Sequence, residues 1–333
     1  PLPVQAETYG NGVALFQSKI KKILSHSCLR KNNFGIKIYS LDRGESLFEL
    51  RAKKLFVPAS NLKILTTAIA LETLGPNYRF PTRLYTDGRL KNEVLEGNLY
   101  IKGFGDPKFV TEQMWLLVNE MKNLPLEKIT GKIIGDDSYF DNQNRVKTWI
   151  KNPGAQAYEA PLGALSFNFN TVQAYVAPGL KAGSRPQIVI EPDTEYIRLD
   201  NQAKTLKRGQ RNRLIVNRLD RKEFDEIVVS GGIRLNQPRA QYFLNITDPT
   251  QYTLSTLKKY IEYVGIKFHG TLEKGMVPDT AKELLTHESE SLTLALQGLN
   301  KFSNNFMAEQ IIKTIGAEKY GPPGTTLKGI KAL

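Results

Sequence analysis

The stretch that most constrains this chain is Val57-Pro58-Ala59-Ser60-Asn61-Leu62-Lys63 with the apolar run behind it, Ile64 to Gly75. Pro58-Ala59-Ser60 reads as a turn that opens a helix, and Gly75-Pro76 reads as its stop. Between Lys63 and Gly75 the one charge is Glu72, so the helix is expected to be buried over most of its circumference. Positions three apart share a helix face, which lets the Ser60 hydroxyl meet the Lys63 ammonium. A lysine desolvated there sheds its proton more readily, and a neutral amine can act as base toward an adjacent hydroxyl. The chemistry expected is that of a serine nucleophile working without histidine.

Spacing alone does not establish this. Ser-x-x-Lys recurs at Ser18/Lys21 and Ser255/Lys258, in polar helical stretches where a solvated lysine stays charged. A helix-start serine followed by a surface lysine explains those two, and for Ser60 the local context leaves both readings open.

At 333 residues the chain has room for two or three domains, each with its own core. No apolar run is long enough to span a membrane. The opening Pro1-Leu2-Pro3-Val4 has neither a basic nor an apolar leader segment, as expected for an exported chain whose signal has been removed. A lone cysteine, Cys28, rules out an internal disulfide and reads as a small buried filler on a helix. With His26, His269 and His287 as the whole histidine complement, neither a metal site nor another cofactor is expected. The net charge of +13 is spread along the chain, with one cluster from Lys204 to Arg213 that reads as an exposed hairpin or loop. No nucleic-acid-binding motif accompanies it, so nucleic acid is not an expected partner. Peripheral attraction to an anionic wall or membrane surface fits the charge equally well.

An amphipathic helix from Val13 to Leu24 opens the pattern. A hairpin follows, Phe34 to Leu41 and Ser46 to Leu50, which needs further strands to be stable. After Gly75-Pro76 short alternating runs appear at Arg79–Tyr85, Asn98–Lys102 and Lys128–Ile134, interrupted by a helical stretch from Thr111 to Lys122. The pattern from Ala160 to Gln237 is almost wholly β. A strand at Tyr242–Thr247, a helix from Thr250 to Val264 started by Asp248-Pro249, and a strand at Lys267–Leu272 come next. Helical periodicity returns at Leu292, Leu296, Leu299 and Phe302. An α/β start, a long mainly β interior and an α finish predict an insertion nested in a host domain.

A second constellation, Ser303-Asn304-Asn305, lies between helical segments at Ser291–Lys301 and Phe306–Thr314. A hydroxyl and a carboxamide two apart on such a connection can face one cleft, the first to pass a proton, the second to hold a carbonyl and a lysine. The alternative is a plain helix cap, for which serine and asparagine are favoured. The same spacing occurs at Ser166-Phe167-Asn168.

Ser-x-x-Lys together with Ser-x-Asn is the signature of penicillin-binding proteins and class A β-lactamases, with Lys-Thr-Gly as third member. The long interval from Ser60 to Ser303 resembles that of the low-molecular-mass class C penicillin-binding proteins, the D-alanyl-D-alanine carboxypeptidase/endopeptidases of peptidase family S13. Val57 to Lys63, Gly103-Phe104-Gly105-Asp106-Pro107, Ala160 to Ser166 and Leu299 to Glu309 all look like that family. The resemblance implies an α/β (α+β) fold: a penicillin-binding, β-lactamase-like transpeptidase domain with nested, mainly β inserted domains. It implies a catalytic domain from 1–82 and 283–333, an inserted domain from 83–160 and 235–282, and a third domain, 161–234, nested in the second.

Carried over by position, Ser60 is the acylated nucleophile, Lys63 its base, Ser303 the proton relay and Asn305 the group that positions Lys63 and the peptide. The Ser60 N–H supplies half of the oxyanion hole. Asp136, in Gly135-Asp136-Asp137-Ser138-Tyr139, falls where the family sets an acidic residue near the free amine of the stem peptide; Asp137 is the runner-up, and turn carboxylates are the plainer alternative. The implied partners are peptidoglycan stem peptides and β-lactam antibiotics, and the implied location is periplasmic or otherwise extracytoplasmic.

Two departures stand out. Asn304 occupies a position where the family usually has aspartate. No Lys-Thr-Gly, Lys-Ser-Gly or His-Thr-Gly occurs; Lys147-Thr148-Trp149, Lys204-Thr205-Leu206 and Lys313-Thr314-Ile315 are the near matches. The expectation is therefore a chain without the later strands of its core sheet, a fragment or one of two polypeptides, with one face of the Ser60 helix and a strand edge left open. A catalytically inactive peptidoglycan-binding homologue and a β-lactamase are the alternative functions.

Overall fold

The computed structural model describes residues 4–30, 33–146 and 154–332; Lys147-Thr148-Trp149 lies outside the described residues. The chain divides after Ala59 into two units. In the first, α1 (Val4–Leu24) and the single turn α2 (Ser27–Arg30) precede an antiparallel hairpin of Ile36–Ser40 and Glu45–Leu50. Gln17 Nε2 donates to Leu47 O at 2.8 Å and ties α1 to the hairpin. Among the described residues this sheet has two strands. Cys28 is exposed, contrary to the expected buried filler, because a four-residue turn such as α2 has no face long enough to bury.

The second unit carries α3 (Leu62–Leu74), α4 (Thr111–Lys122), α5 (Pro249–Tyr263), α6 (Leu292–Phe302), α7 (Asn305–Tyr320) and α8 (Thr326–Lys331). α3 packs on α6 and α7 around Ala70, Leu296, Leu299, Met307 and Ile311. It stops where the sequence predicts, at Gly75, whose N–H donates to Leu71 O at 3.1 Å and whose φ of +84° suits glycine. Its burial is narrower than the apolar run alone predicts, and one face is open, as the absent third motif leads one to expect. Lys63, Thr66 and Ala70, spaced three and four apart, are the buried residues, whereas Leu62, Ile64 and Leu65 are 55%, 68% and 49% exposed. Scarcity of charge means that no face requires water. It does not supply every face with a partner, and α6 and α7 cover only one.

A five-stranded sheet runs in the order Leu272–Lys274, Ile133–Asp136, Leu99–Gly103, Pro81–Thr86 and Lys282–Glu288. Pro81–Thr86 is antiparallel to both its neighbours, and the remaining pairs are parallel. A second sheet orders Lys267–Phe268, Lys128–Ile129, Val94–Glu96 and Arg89–Lys91. The runs Lys128–Ile134 and Lys267–Leu272, each expected as one strand, are therefore split: their first halves pair in the four-stranded sheet and their second halves in the five-stranded one. They break side by side at Gly131 and Gly270, where a Cβ on Gly270 would lie 2.1 Å from the Gly131 carbonyl oxygen. Only a glycine permits that approach. The rim strand Lys282–Glu288 was not expected, since its residues do not alternate and its register slips between Glu283 and Leu285.

Met114, Leu117 and Val118 of α4 and Leu254, Leu257 and Ile261 of α5 fill the core with Leu84, Leu99, Ile101 and Ile133. α5 starts as its sequence specifies, with Pro249 in the first turn and the Asp248 side chain accepting from Gln251 N. The mainly β interior forms two further sheets. Gln187–Glu191, Thr171–Ala177 and Ala240–Asn245 make one, so this sheet draws on both sides of residue 234. In the other, Asp225–Arg234 is flanked by Ile197–Asn201, Lys204–Leu206 and Arg213–Asp220. The basic cluster falls mostly on the exposed loop between the last two. Among the described residues no helix is long and apolar enough to cross a membrane.

Candidate active site

Ser60 lies in a 3-10 turn, Ala59–Asn61, that runs into α3. Ala59 holds φ at +46°, a left-handed conformation that costs energy for a residue with a Cβ and is often stored beside reacting groups. The first turn of α3 then carries Lys63. Across from it, α6 ends at Ser303, whose φ of 54° and ψ of 38° are also left-handed, and α7 begins at Asn305. The cap of α7 is Asn304, whose side chain accepts from Met307 N at 3.1 Å. Capping, the plainer reading of this motif, thus falls to its middle residue, and asparagine performs it as well as aspartate would. Ser303 and Asn305 are left free for other work.

Lys63 Nζ donates to Ser60 Oγ at 3.1 Å and to Asn305 Oδ1 at 2.7 Å. One buried ammonium group therefore joins residues far apart in sequence. Burial lowers the Lys63 pKa, and the charge of Glu309 partly opposes that. Glu309 stands one turn beyond Asn305 on α7, where its Oε2 accepts from Thr326 Oγ1 of α8 at 3.3 Å. Its own carboxyl is raised by burial, against the pull of Thr326, Lys313 and Lys63. Glu309 had no role in the sequence reading, although its i+4 spacing from Asn305 placed it on the same helix face. The Ser303 hydroxyl is exposed and makes no hydrogen bond among the described residues. Ser60, Lys63 and Asn305 are brought together; Ser303 stands on the adjoining turn.

Asp136 is elsewhere. It lines a cleft of about 910 Å³ with Asp137, Asp220, Lys274 and Met276, but its side chain is buried and fully engaged. Lys102 Nζ lies 3.0 Å from Oδ2, and the N–H groups of Ser138 and Val277 each donate at 2.8 Å. Burial would raise its pKa, but these hydrogen bonds, with Lys102, outweigh it and hold the carboxyl below its ordinary value. Asp137, which accepts from Leu165 N at 2.8 Å, is pushed up to about 7 by burial. Two of the alternative serine motifs are structural: Ser255 Oγ accepts from Tyr196 N while Lys258 pairs with Glu195, and Ser166 Oγ donates to Gly163 O.

Two other stretches of the sequence resemblance meet each other. A Cβ on Gly103 would lie 2.2 Å from the Ala164 carbonyl oxygen, and Gly105 N donates to that oxygen at 2.9 Å. Next to this contact Asp106 is buried, with Oδ1 accepting from Lys108 N at 2.8 Å and Oδ2 without a partner. Burial pushes its carboxyl up to about 7, with the nearby Glu290 adding to the effect and Lys108 opposing it.

A mixed α/β chain with a lysine-linked serine at the head of a helix and several inserted sheets has the fold of the penicillin-binding proteins. Penicillin-binding protein 4 (DacB) from Haemophilus influenzae superimposes with a TM-score of 0.76 at 20% identity, covering 90% of this chain and 66% of that one. The same protein complexed with a β-lactam gives a TM-score of 0.70, also at 20% identity, over 90% of this chain and 65% of that one. The model of the D-Ala-D-Ala carboxypeptidase 3 (S13) family matches residues 16–333, and the chain belongs to that family. Among curated relatives, a D-alanyl-D-alanine carboxypeptidase from an Actinomadura species is 26% identical over 96% of this chain and 60% of its own length. The D-alanyl-D-alanine carboxypeptidase DacB of Haemophilus influenzae is 22% identical over 91% of this chain and 63% of its own. The chain thus spans about three fifths of the length of these relatives.

Proposed function

We propose that this chain contributes the nucleophile and its base to a serine-type D-alanyl-D-alanine carboxypeptidase/endopeptidase acting on peptidoglycan stem peptides outside the cytoplasm, and that β-lactams acylate the same serine. The observation that carries this reading is Lys63 Nζ bridging Ser60 Oγ and Asn305 Oδ1 in a member of the S13 family. Lys63, deprotonated, accepts the Ser60 proton as Oγ attacks the carbonyl carbon of the penultimate D-alanine. The Ser60 N–H stabilises the oxyanion. As the C–N bond breaks, the leaving amine takes a proton by way of Ser303, and water then hydrolyses the Ser60 ester. With a β-lactam the leaving amine stays tethered to the acyl group and the ester persists.

In the same reading Asp136 faces the amine of the stem-peptide side chain, exchanging Lys102 for it. The nested division at 82/83, 160/161, 234/235 and 282/283 also remains our proposal. It is supported by the pairing of Pro81–Thr86 with Lys282–Glu288, which sets its two outer crossings side by side; the pairing of Ala240–Asn245 with Thr171–Ala177 crosses its inner limit.

Fluorescent penicillin labelling of the full-length protein tests the chemistry. Labelling is expected on Ser60 and is expected to vanish in Ser60→Ala; equal labelling of that variant removes Ser60 from the mechanism. Turnover of peptides with and without the side-chain amine, in wild type and Asp136→Asn, tests the specificity. An unchanged preference rejects Asp136.

A further inference from the structure

A second cleft, of about 340 Å³, shares no lining residue with the Ser60 site or with the cleft of Asp136. It is lined by Trp115 of α4, Tyr260 and Tyr263 of α5, Lys259, and Pro192 with Asp193. α4 and α5 pack through the faces that carry Leu117 and Leu257, which sets these three rings together on the outside. The Trp115 centroid lies 6.4 Å from Tyr260 and 5.9 Å from Tyr263, with interplanar angles of 68° and 65°. Edge-on packing of this kind leaves ring faces uncovered: Trp115 is 40% and Tyr263 79% exposed. Leaving such large rings in water is costly unless something stacks on them.

We infer that this cleft is a carbohydrate subsite taking a neutral N-acetylated hexose of a glycan strand, with the pyranose ring stacked on Trp115 and Tyr263. A pyranose has a C–H face that packs on an aromatic ring and a hydroxyl edge that needs donors and acceptors. The rim provides both without net charge, because Lys259 Nζ is ion-paired with the Asp193 carboxylate. An anionic ligand would meet Asp193 and a cationic one Lys259, so the cancelled pair favours an uncharged polyhydroxylated ligand. Pro192 offers a small apolar wall suited to an acetamide methyl. The volume sits at the low end of the roughly 300–1,000 Å³ of small-molecule sites, and a stable protein partner would need a much wider patch. The identity of the sugar as part of a wall glycan rests on the proposed function; the choice of a sugar rests on the cleft.

Titration with triacetylchitotriose, followed by tryptophan fluorescence and calorimetry, tests the assignment. The protein has two tryptophans, and the variants are Trp115→Ala, Tyr263→Ala and Trp149→Phe. Saturable binding is expected in wild type and Trp149→Phe, weakened at least about tenfold in Trp115→Ala and Tyr263→Ala. Penicillin labelling of Ser60 is expected to be equal in all four proteins, so loss of sugar binding is distinguishable from failure of the acyl-enzyme reading. Tyr263 is so exposed that its truncation leaves the core intact, and thermal melts verify folding. Absence of saturable binding in wild type, or undiminished binding in folded Tyr263→Ala, overturns the assignment. Self-association abolished by Tyr263→Ala and insensitive to the sugar also overturns it, and makes the cleft a contact between copies.

Discussion

In the proposed mechanism Lys63 must lose a proton before it can take one from Ser60, and two neighbours pull on that proton in opposite senses. Burial disfavours the ammonium form, while the carboxylate of Glu309 favours it. The rate of acylation is therefore expected to rise with pH through the Lys63 pKa, with an inflection below the ordinary lysine range. Glu309→Gln removes the group that stabilises the ammonium, so the inflection moves to lower pH; a rate loss with an unmoved inflection would reduce Glu309 to packing. Lys63→Arg keeps a charge that never titrates, and is expected to lose about 10²–10⁴-fold in acylation. The meeting of Ser60, Lys63 and Asn305 was legible in the sequence because the first pair is local and the two motifs, each ambiguous alone, occur together in one order. The partner of Asp136 was not. Lys102 faces it only because the strands Leu99–Gly103 and Ile133–Asp136 align in parallel with those two residues in register, a pairing that no local pattern encodes.

The loop of Gly103 to Pro107 places a carboxyl group where its charge is expensive. The folded-state pKa of Asp106, about 7, lies above the roughly 3.9 of an unfolded chain. Its contribution to stability is then fully present below about pH 4 and is lost as pH rises through 7. Asp106→Asn removes the ionisation, so the variant is expected to gain on the wild type as pH rises, by roughly 1–4 kcal/mol at pH 8. Denaturant unfolding at pH 4, 6 and 8 measures this, and parallel stability curves would refute it. Helices α4, α5 and α6 were readable because their periodicity is a local signal, and α5 also carries its cap and its Pro249 start in the sequence. The broken strands at Gly131 and Gly270 were not readable, since the break is made by two backbones that are far apart in the sequence and meet only in the fold. The open face of α3 was legible from the absent third motif and not from polarity: residue polarity reports what a face tolerates, and only its neighbours decide what covers it.

Along the chain as a whole, an α/β start and an α finish enclose a long, mainly β interior, and that alternation is visible as a change of sequence texture. Which strands would be neighbours was not visible. The most distant pairing in the five-stranded sheet is that of Pro81–Thr86 with Lys282–Glu288, where Thr82 faces His287. This pairing closes a loop that contains most of the sheets, and its consequence is one of timing. Loop closure carries an entropic penalty that grows with the logarithm of the flexible length, so the pairing becomes affordable only after the intervening strands have condensed and shortened the effective loop. Pulsed hydrogen exchange during refolding is expected to protect residues 99–103 and 133–136 before 282–288; simultaneous protection would mean that the rim strand belongs to the nucleus. Until that strand arrives, Pro81–Thr86 is an uncovered sheet edge. The interval before closure is then the period when refolding chains are most able to capture one another, and dilution during that interval should raise the yield of native protein.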